Sequence, residues 1–242
     1  MENFFLTEYF DWQPKRVTVM HRLINRAFRE LRIPFRAGPY SGGMTTIEQR
    51  INLFHFVMQV LVYNVPGDLV ELGCYAGHTS VLIQKVLQRY APERKLHVYD
   101  SFEGLPDKSD ADGATKFRKG WLSTTEGNLV GNFTKYDLPL PVIHKGWFEN
   151  TLPTELPAQI AFAHLDGDFY SSIAVSLQYV YPKMSKGAVC VIDDYCDPAV
   201  DPHGWNALPG VKKACDEFFA DKPERVHYIY SGPYSHGFFH RA

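Results

Sequence analysis

The sequence has no Cys-x-x-Cys pair, although it contains four cysteines, Cys74, Cys190, Cys196 and Cys215. Structural zinc sites usually take two ligands from such a pair, so this spacing argues against zinc. Cys190 lies within an apolar run and is expected to be a small core residue. The cysteine usage therefore fits a reducing compartment, and we expect a cytoplasmic protein.

Long apolar runs and long basic runs are also missing. No apolar segment approaches the roughly 20 residues needed to cross a bilayer. The first residues, 1–4, lack the basic start and apolar core of a signal peptide. The net charge is −2, which argues against nucleic acid as a required partner. The chain of 242 residues, 45% of them hydrophobic, is long enough for one large globular domain.

Strand and helix patterns alternate through most of the chain. The patterns predict strands at 68–72, 96–100, 141–144, 160–165 and 187–192, and helices at 46–63, 79–90, 125–135, 170–181 and 209–220. Two final strands, 226–230 and 236–240, are expected to form a hairpin. This order indicates an α/β fold with a mostly parallel sheet of seven strands, helices on both faces and an antiparallel C-terminal hairpin.

The segment 1–43 differs from the rest because its composition is irregular. A helical pattern at 16–31 is followed by breaks at proline and glycine residues between 34 and 43. One interpretation is that the segment forms a lid over the main domain, 44–242. The other is that it forms a contact between copies of the chain or covers a sheet edge. A contact between copies would make the protein a homo-oligomer. The next helix is expected to begin with a capping box formed by Thr45 and Glu48.

A glycine-containing turn connects the first strand to the next helix. Glu71, Gly73 and Gly77 form the pattern E-x-G-x-x-x-G. Tyr75 stands where a dinucleotide fingerprint needs its second glycine, so a diphosphate would be obstructed there. Asp100 ends the next strand, close to where a carboxylate that binds ribose is expected. These residues favour a cationic nucleoside such as S-adenosylmethionine, and the alternative is an ordinary turn in an α/β protein.

Carboxylates follow two further strands at their carboxyl ends. Asp166 and Asp168 follow the strand at 160–165, and Asp193 and Asp194 follow the strand at 187–192. Neighbouring strands lie about 4.8 Å apart, so these acids are expected to converge and to repel one another. A hard divalent cation prefers such oxygen ligands, and no Cys or His is placed to complete a softer site. Helix capping is the alternative, above all for Asp168, but it does not explain the Asp193-Asp194 doublet.

Five motifs together resemble the macrocin O-methyltransferase family, from about residue 44 to residue 198. They are Glu71-x-Gly73-x-x-x-Gly77, Tyr99-Asp100-Ser101-Phe102-Glu103-Gly104-Leu105-Pro106, Gly146-Trp147-Phe148-x-x-Thr151-Leu152-Pro153, Leu165-Asp166-Gly167-Asp168-x-Tyr170 and Ile192-Asp193-Asp194-Tyr195. The resemblance implies a class I S-adenosylmethionine-dependent methyltransferase fold of Rossmann-like type. It also implies a divalent metal, usually Mg²⁺, with Mn²⁺ as another hard cation that fits.

The resemblance also assigns roles to individual residues. It implies that Asp166, Asp193 and Asp194 bind the metal and that Asp168 is the general base. The residues expected to hold or line the cofactor site are Met44, Glu71, Gly73, Tyr75, Gly77, Thr79, Ser80, Asp100, Ser101, Gly146, Trp147 and Asp166. Known members methylate sugar hydroxyls, so the expected partner is a small sugar or glycoside acceptor.

Three other functions are considered beside O-methylation of a sugar diol. The first is O-methylation of a catechol or phenolic acceptor. The second is a nicotinamide-dependent oxidoreductase, against which Tyr75 counts. The third is a non-catalytic module that binds S-adenosylmethionine, against which the complete carboxylate set counts because a sensor needs no metal.

Overall fold

The computed structural model describes residues 19–31, 44–232 and 234–242. The chain divides into two compact units, Met1–Met44 and Thr45–Ala242. The described part of the first unit contains helix α1 (Val19–Glu30), within the segment predicted to be helical. The predicted breaks at 34–43 lie outside the described residues, and the lid stays a prediction. Within the described ranges, every helix is too short or too polar to span a bilayer.

The second unit is built on one sheet. Its helices are α2 (Ile47–Val62), α3 (His78–Tyr90), α4 (Glu126–Lys135), α5 (Phe148–Glu155), α6 (Tyr170–Val180) and α7 (Pro209–Phe218), and its strands are β1 (Asp68–Leu72), β2 (Leu96–Asp100), β3 (Val142–Lys145), β4 (Ile160–Leu165), β5 (Met184–Asp193), β6 (His227–Ser231) and β7 (Tyr234–His240). The strand order is β3-β2-β1-β4-β5-β7-β6. β7 is antiparallel to both of its neighbours, and the other pairs are parallel. The predicted α/β fold, with its antiparallel C-terminal hairpin, is confirmed.

The helices form two packed groups around a buried central sheet. α2, α3 and α4 pack on one another in sequence order, and so do α5, α6 and α7. All six residues of β4 are buried, as are the last six of β5, because parallel strands are covered on both faces. The buried apolar residues of α2 are Leu53, Phe54, Phe56, Val57 and Val60, whereas Ile47, Ile51 and Met58 are only partly buried.

The bounds of β3, β5, β6 and β7 differ from the predicted ranges by one to three residues at an end, and one helix cap and one helix also differ from the predictions. The capping box of α2 is formed by Thr46 and Gln49, one position after the expected Thr45 and Glu48. Helix α5 was not predicted, because it is only eight residues long and contains Pro153 near its end. Proline tolerated in a short helix hides the periodic pattern on which such predictions depend.

The ends of β1 and β4 approach each other so closely that only glycine fits between them. The Asp166 N–H donates to the Leu72 carbonyl at 2.8 Å, and the Gly73 N–H donates to the Tyr99 carbonyl at 2.8 Å. A Cβ on Gly73 would lie 1.8 Å from the Asp166 carbonyl oxygen, and its φ of 88° is one that glycine adopts readily. This approach places Asp166 directly beside the turn that follows β1.

We expect Gly73→Ala to lower the free energy of unfolding by about 1–3 kcal/mol or more, because both the Cβ clash and the positive φ must be accommodated. Gly131→Ala is the matched control. Gly131 lies in α4, and an added Cβ there would meet nothing within 4 Å. That change should raise stability by about 0.5–1 kcal/mol. Urea unfolding of both variants checks the contrast, and equal stabilities would contradict it.

Candidate active site

Most of the predicted site residues lie at one edge of the sheet, where the parallel strands end. Gly73, Tyr75 and Gly77 follow β1, Asp100 ends β2 before Ser101, Gly146 and Trp147 follow β3, Asp166 and Asp168 follow β4, and Asp193 ends β5 before Asp194. Ligands of open α/β sheets bind at this edge. Met44 belongs to the first unit, and its place near a cofactor stays a prediction.

Asp100 joins the turns that follow β1 and β2. One carboxylate oxygen accepts from the Tyr75 N–H at 2.8 Å, and the other accepts from the Phe102 N–H at 2.7 Å. Both donors have positive φ, 49° and 60°. Burial raises the pKa of Asp100, and these two hydrogen bonds act against that rise. Each oxygen keeps a second lone pair, so the carboxylate can also accept from a ligand hydroxyl.

Glu71 lies beneath the glycine turn with both carboxylate oxygens occupied. The Ser80 hydroxyl donates to one oxygen, and His164 Nδ1 lies 2.9 Å from the other. Glu71, Ser80 and His164 are almost completely buried, so this network links β1, α3 and β4. Thr79, beside Ser80 in the first turn of α3, is buried as well. The predicted contact of Glu71 and Ser80 with the cofactor stays a prediction. Their burial and their hydrogen bond to each other do not favour it.

Asp166, Asp168 and Asp194 form the acidic cluster. One oxygen of each carboxylate lies within 4.8 Å of the others, and all three residues are partly exposed. Burial raises the pKa of each, that of Asp168 to about 7, and the negative charge of Asp193 adds to the rise. Carboxylates this close favour protonation or a cation. An oxygen-only donor set of this kind fits Mg²⁺ or Mn²⁺.

Asp193 has partners of its own. Its Oδ1 accepts from Gln49 Nε2 at 2.8 Å and from His236 Nε2 at 2.7 Å. Burial alone would raise the pKa of Asp193, but the charge and hydrogen bond of His236, with His164 and Gln49, lower it. His164, Asp193 and His236 also offer ligand atoms within 4.8 Å of one another. The three carboxylates that lie within 4.8 Å of one another thus include Asp168 in place of Asp193. Asp193 lies beside them, since its charge raises the pKa of all three.

The sequence analysis expected no Cys or His to be placed among these acids to complete a softer metal site. For His164 and His236 this expectation is wrong, because both lie beside Asp193. His164 is the one charged or strongly polar residue inside the apolar run 160–165, which is a signal for a buried, hydrogen-bonded side chain. His236 gives no comparable signal, because its partner lies 43 residues earlier in the chain. Its position follows only from the antiparallel pairing of Asp193 with His236.

Helix capping does not account for Asp168. Helix α6 begins at Tyr170 after Phe169, which makes no side-chain capping bond. The Tyr170 N–H instead donates to Asp112 Oδ1 at 2.6 Å. The other Asp112 oxygen accepts from the Ser109 N–H and hydroxyl at 2.7 and 2.9 Å. Asp112 therefore anchors the loop 101–125 to the start of α6, two residues after Asp168.

We expect Asp168→Asn to stabilise the metal-free protein at pH 8. The folded-state pKa of Asp168 is raised to about 7, above the unfolded value of 3.8, so its contribution to stability falls as pH rises from about 4 to 7. Removing this buried charge should add on the order of 2 kcal/mol at pH 8, and much less at pH 4. Asparagine also tolerates the φ of 59° at this position. Thermal melts in a chelator at both pH values check this, and a variant melting below wild type at pH 8 would contradict it.

Comparison with known proteins adds independent information. The model of the family described as macrocin-O-methyltransferase (TylF) matches residues 19–218. The chain is 36% identical to a demethyldecarbamoylnovobiocin O-methyltransferase of Streptomyces niveus, over 65% of this chain and 64% of that protein. It is 32% identical to an 8-demethyl-8-(2,3-dimethoxy-alpha-L-rhamnosyl)-tetracenomycin-C 4'-O-methyltransferase of Streptomyces olivaceus, over 72% of this chain and 71% of that protein.

Solved structures agree with the fold. The structure of the O-methyltransferase NovP superposes with a TM-score of 0.69 and 29% identity, covering 86% of this chain and 85% of that chain. The O-methyltransferase TomG from Streptomyces achromogenes, with a TM-score of 0.56 and 15% identity, shares the fold alone. The fold described above is thus common to this chain and to known O-methyltransferases.

Proposed function

The chain belongs to the macrocin-O-methyltransferase family, and from that membership we propose that it is a metal-dependent O-methyltransferase of sugar hydroxyls. In this proposal S-adenosylmethionine supplies an electrophilic methyl group, and Mg²⁺ or Mn²⁺ supplies Lewis acidity toward the acceptor hydroxyl. The observation that carries the proposal is the acidic cluster beside the glycine turn. The names of the relatives, one of which includes a rhamnosyl group, support a glycoside acceptor.

The cofactor side of the proposal rests on the turns after β1, β2 and β3. Gly73 and Gly77 have positive φ, which gives the turn between β1 and α3 the tight path that brings it beside the ends of β2 and β4. Asp100 is fixed by two N–H donors and can bind a ribose hydroxyl with its remaining lone pairs. Trp147 is partly exposed and comes two residues after Lys145, the partner of Asp100 in the sheet, which supports stacking of an adenine ring on its indole. Ser101, after β2, and Gly146, after β3, are proposed to complete the cofactor site.

Asp166, Asp193 and Asp194 are proposed as the metal ligands. Among the four aspartates, Asp193 is the one whose pKa is lowered, because His236, His164 and Gln49 outweigh the effect of burial, and this favours its ionised form. Both of these partners bind Oδ1, which leaves Oδ2 for a cation. Asp166 and Asp194 add oxygens whose mutual repulsion a cation would remove. The donor set therefore supports a hard divalent ion.

Asp168 is proposed as the general base. Its φ of 59° turns its side chain into the acidic cluster instead of onto the end of α6. Its pKa of about 7 in the metal-free chain suits proton transfer near neutral pH. Asp168 would accept the proton of the acceptor hydroxyl as the oxygen attacks the methyl carbon. Positioning of that hydroxyl beside Asp168 would supply much of the rate.

Aromatic side chains lie at the same edge of the unit and support a large acceptor. Phe117 contacts Trp121 and Trp205 at ring distances of 5.9 and 6.1 Å, and Trp205 contacts Tyr234 at 5.3 Å. Trp121 is 46% exposed. Binding sites for small molecules are commonly lined by aromatic residues with a few polar groups. The sugar and its aglycone, and the cytoplasmic location, stay predictions.

Metal removal tests the proposal directly. Turnover of S-adenosylmethionine with a panel of glycosides and phenols should stop in excess chelator and return with Mg²⁺ or Mn²⁺. Asp194→Asn should raise the metal concentration that gives half of the maximal rate, because it removes one anionic ligand. Full activity after prolonged dialysis against a chelator would contradict the proposed metal dependence. Cofactor binding without turnover on every acceptor would favour a non-catalytic module instead.

The role of Asp168 has a separate test. Asp168→Asn should lower the single-turnover rate of methyl transfer by about 10²–10⁴, the usual size of a general-base contribution. Its affinities for S-adenosylmethionine and Mn²⁺, measured by calorimetry, should change little. A variant with near-normal turnover would show that another group accepts the proton. A variant that loses Mn²⁺ binding would show that Asp168 is a metal ligand.

A further inference from the structure

Gln49 connects the start of helix α2 to a carboxylate of the candidate metal site. It is only 2% exposed, and it occupies the third position of α2. Its Oε1 accepts from the Thr46 N–H at 2.8 Å, and its Nε2 donates to Asp193 Oδ1 at 2.8 Å. The second contact joins residues that are 144 positions apart in the chain.

The orientation of the Gln49 amide follows from the chemistry of its two partners. A backbone N–H can only donate, so the amide oxygen must face Thr46. A carboxylate that is ionised can only accept, so the amide nitrogen must face Asp193. A flipped amide would lose both hydrogen bonds, because it would set two donors against each other at Thr46 and two acceptors against each other at Asp193. The capping box therefore fixes an N–H donor against Asp193 Oδ1.

The helix end that carries Gln49 is itself held in place. The Thr46 hydroxyl donates to the Ser231 carbonyl at 2.8 Å, which ties the start of α2 to the end of β6. His236, on β7, approaches the same Asp193 oxygen as Gln49. Asp193 Oδ1 is thus held by donors from two elements that are packed on each other. Within the part of the chain that the structure describes, no group donates a hydrogen bond to the other oxygen, Oδ2. That oxygen is therefore left for a ligand.

We propose that Gln49 is a positioning residue that orients Asp193 so that its Oδ2 faces the cation. This inference rests on the proposed function, in which Asp193 is a metal ligand. Groups that hydrogen-bond to metal ligands orient them, and their loss commonly reduces metal affinity 10- to 100-fold. Gln49 touches neither the proposed acceptor nor the cofactor in this assignment, so it acts only through Asp193.

The identity of the residue separates this role from helix capping. A capping box accepts glutamate as well as glutamine at its third position, because only the acceptor oxygen is used. Contact with Asp193 requires the amide donor, and glutamate would place an acceptor and a like charge there. Glutamine serves both contacts, whereas glutamate serves only the helix. Gln49 is therefore explained by Asp193 and not by the helix alone.

The test measures Mn²⁺ affinity by electron paramagnetic resonance, together with a thermal melt, on the full chain without acceptor. Gln49→Met removes the acceptor for Thr46 and the donor for Asp193. Thr46→Ala is the matched control, because it weakens the same helix end but keeps the backbone N–H that fixes the Gln49 amide. We expect Gln49→Met to weaken Mn²⁺ binding 10- to 100-fold and Thr46→Ala to change it less than about threefold. Both should lower the melting temperature.

Gln49→Glu, measured at pH 8, covers the case in which Gln49→Met does not fold, since it retains the acceptor for Thr46. It should also weaken Mn²⁺ binding at least tenfold. Wild-type affinity in either Gln49 variant would overturn the inference, as would an equal loss in Thr46→Ala. A wild-type chain that binds no Mn²⁺ would overturn the proposed metal site and this inference together. A wild-type chain that binds Mn²⁺ only as tightly as the Gln49 variants would overturn this inference alone.

Discussion

Crowding of several carboxylates at one edge of the sheet is the constraint on which the second unit depends. Asp166, Asp168 and Asp194 come from the ends of two neighbouring strands, and one oxygen of each lies within 4.8 Å of the others. Like charges at this distance cost free energy unless they are protonated or neutralised. The fold nevertheless keeps them together, because the approach of Gly73 to Asp166 fixes the strand ends by backbone hydrogen bonds that do not depend on charge.

The protein treats its buried acids in two ways. Glu71 and Asp193 are given partners: Ser80 and His164 occupy the oxygens of Glu71, and Gln49 and His236 share one oxygen of Asp193. The acids of the cluster face one another instead. Partnered carboxylates stabilise the surrounding elements, whereas unpartnered ones keep their lone pairs for a ligand. This division explains why the cluster is partly exposed while Glu71 is completely buried.

Much of the fold and part of the site could be predicted from the sequence, because the relevant patterns are local. The strands ending at Leu72, Asp100 and Leu165 were predicted with their observed bounds, since each is a mostly apolar stretch that ends at, or just before, a glycine or an aspartate. The acids after β4 and β5 were placed at one edge by the rule that parallel strands end together. Helix α5 was missed because Pro153 interrupts a pattern that is already short.

Contacts between distant segments could not be predicted from the same patterns. Gln49 and His236 reach Asp193 from 144 and 43 positions away, and nothing in their local sequence indicates that contact. The capping box was expected one residue early because Thr45 and Thr46 are both good caps, and only the reach to Asp193 and Ser231 selects Thr46. The sequence could indicate which groups carry the chemistry but not which groups hold them.

The loop 101–125 connects the aromatic residues of the proposed acceptor surface to the start of α6, beside the proposed base. Asp112 accepts from the first N–H of α6, and Gly210 of α7 leaves no room for a Cβ beside it, since that atom would lie 2.4 Å from Asp112 Oδ1. The loop is thus fastened at its middle, next to the residue pair that follows Asp168. Phe117 and Trp121, further along the same loop, carry the aromatic contacts. Changes at those aromatic positions would then alter the proposed acceptor surface while Asp112 keeps the start of α6 in place.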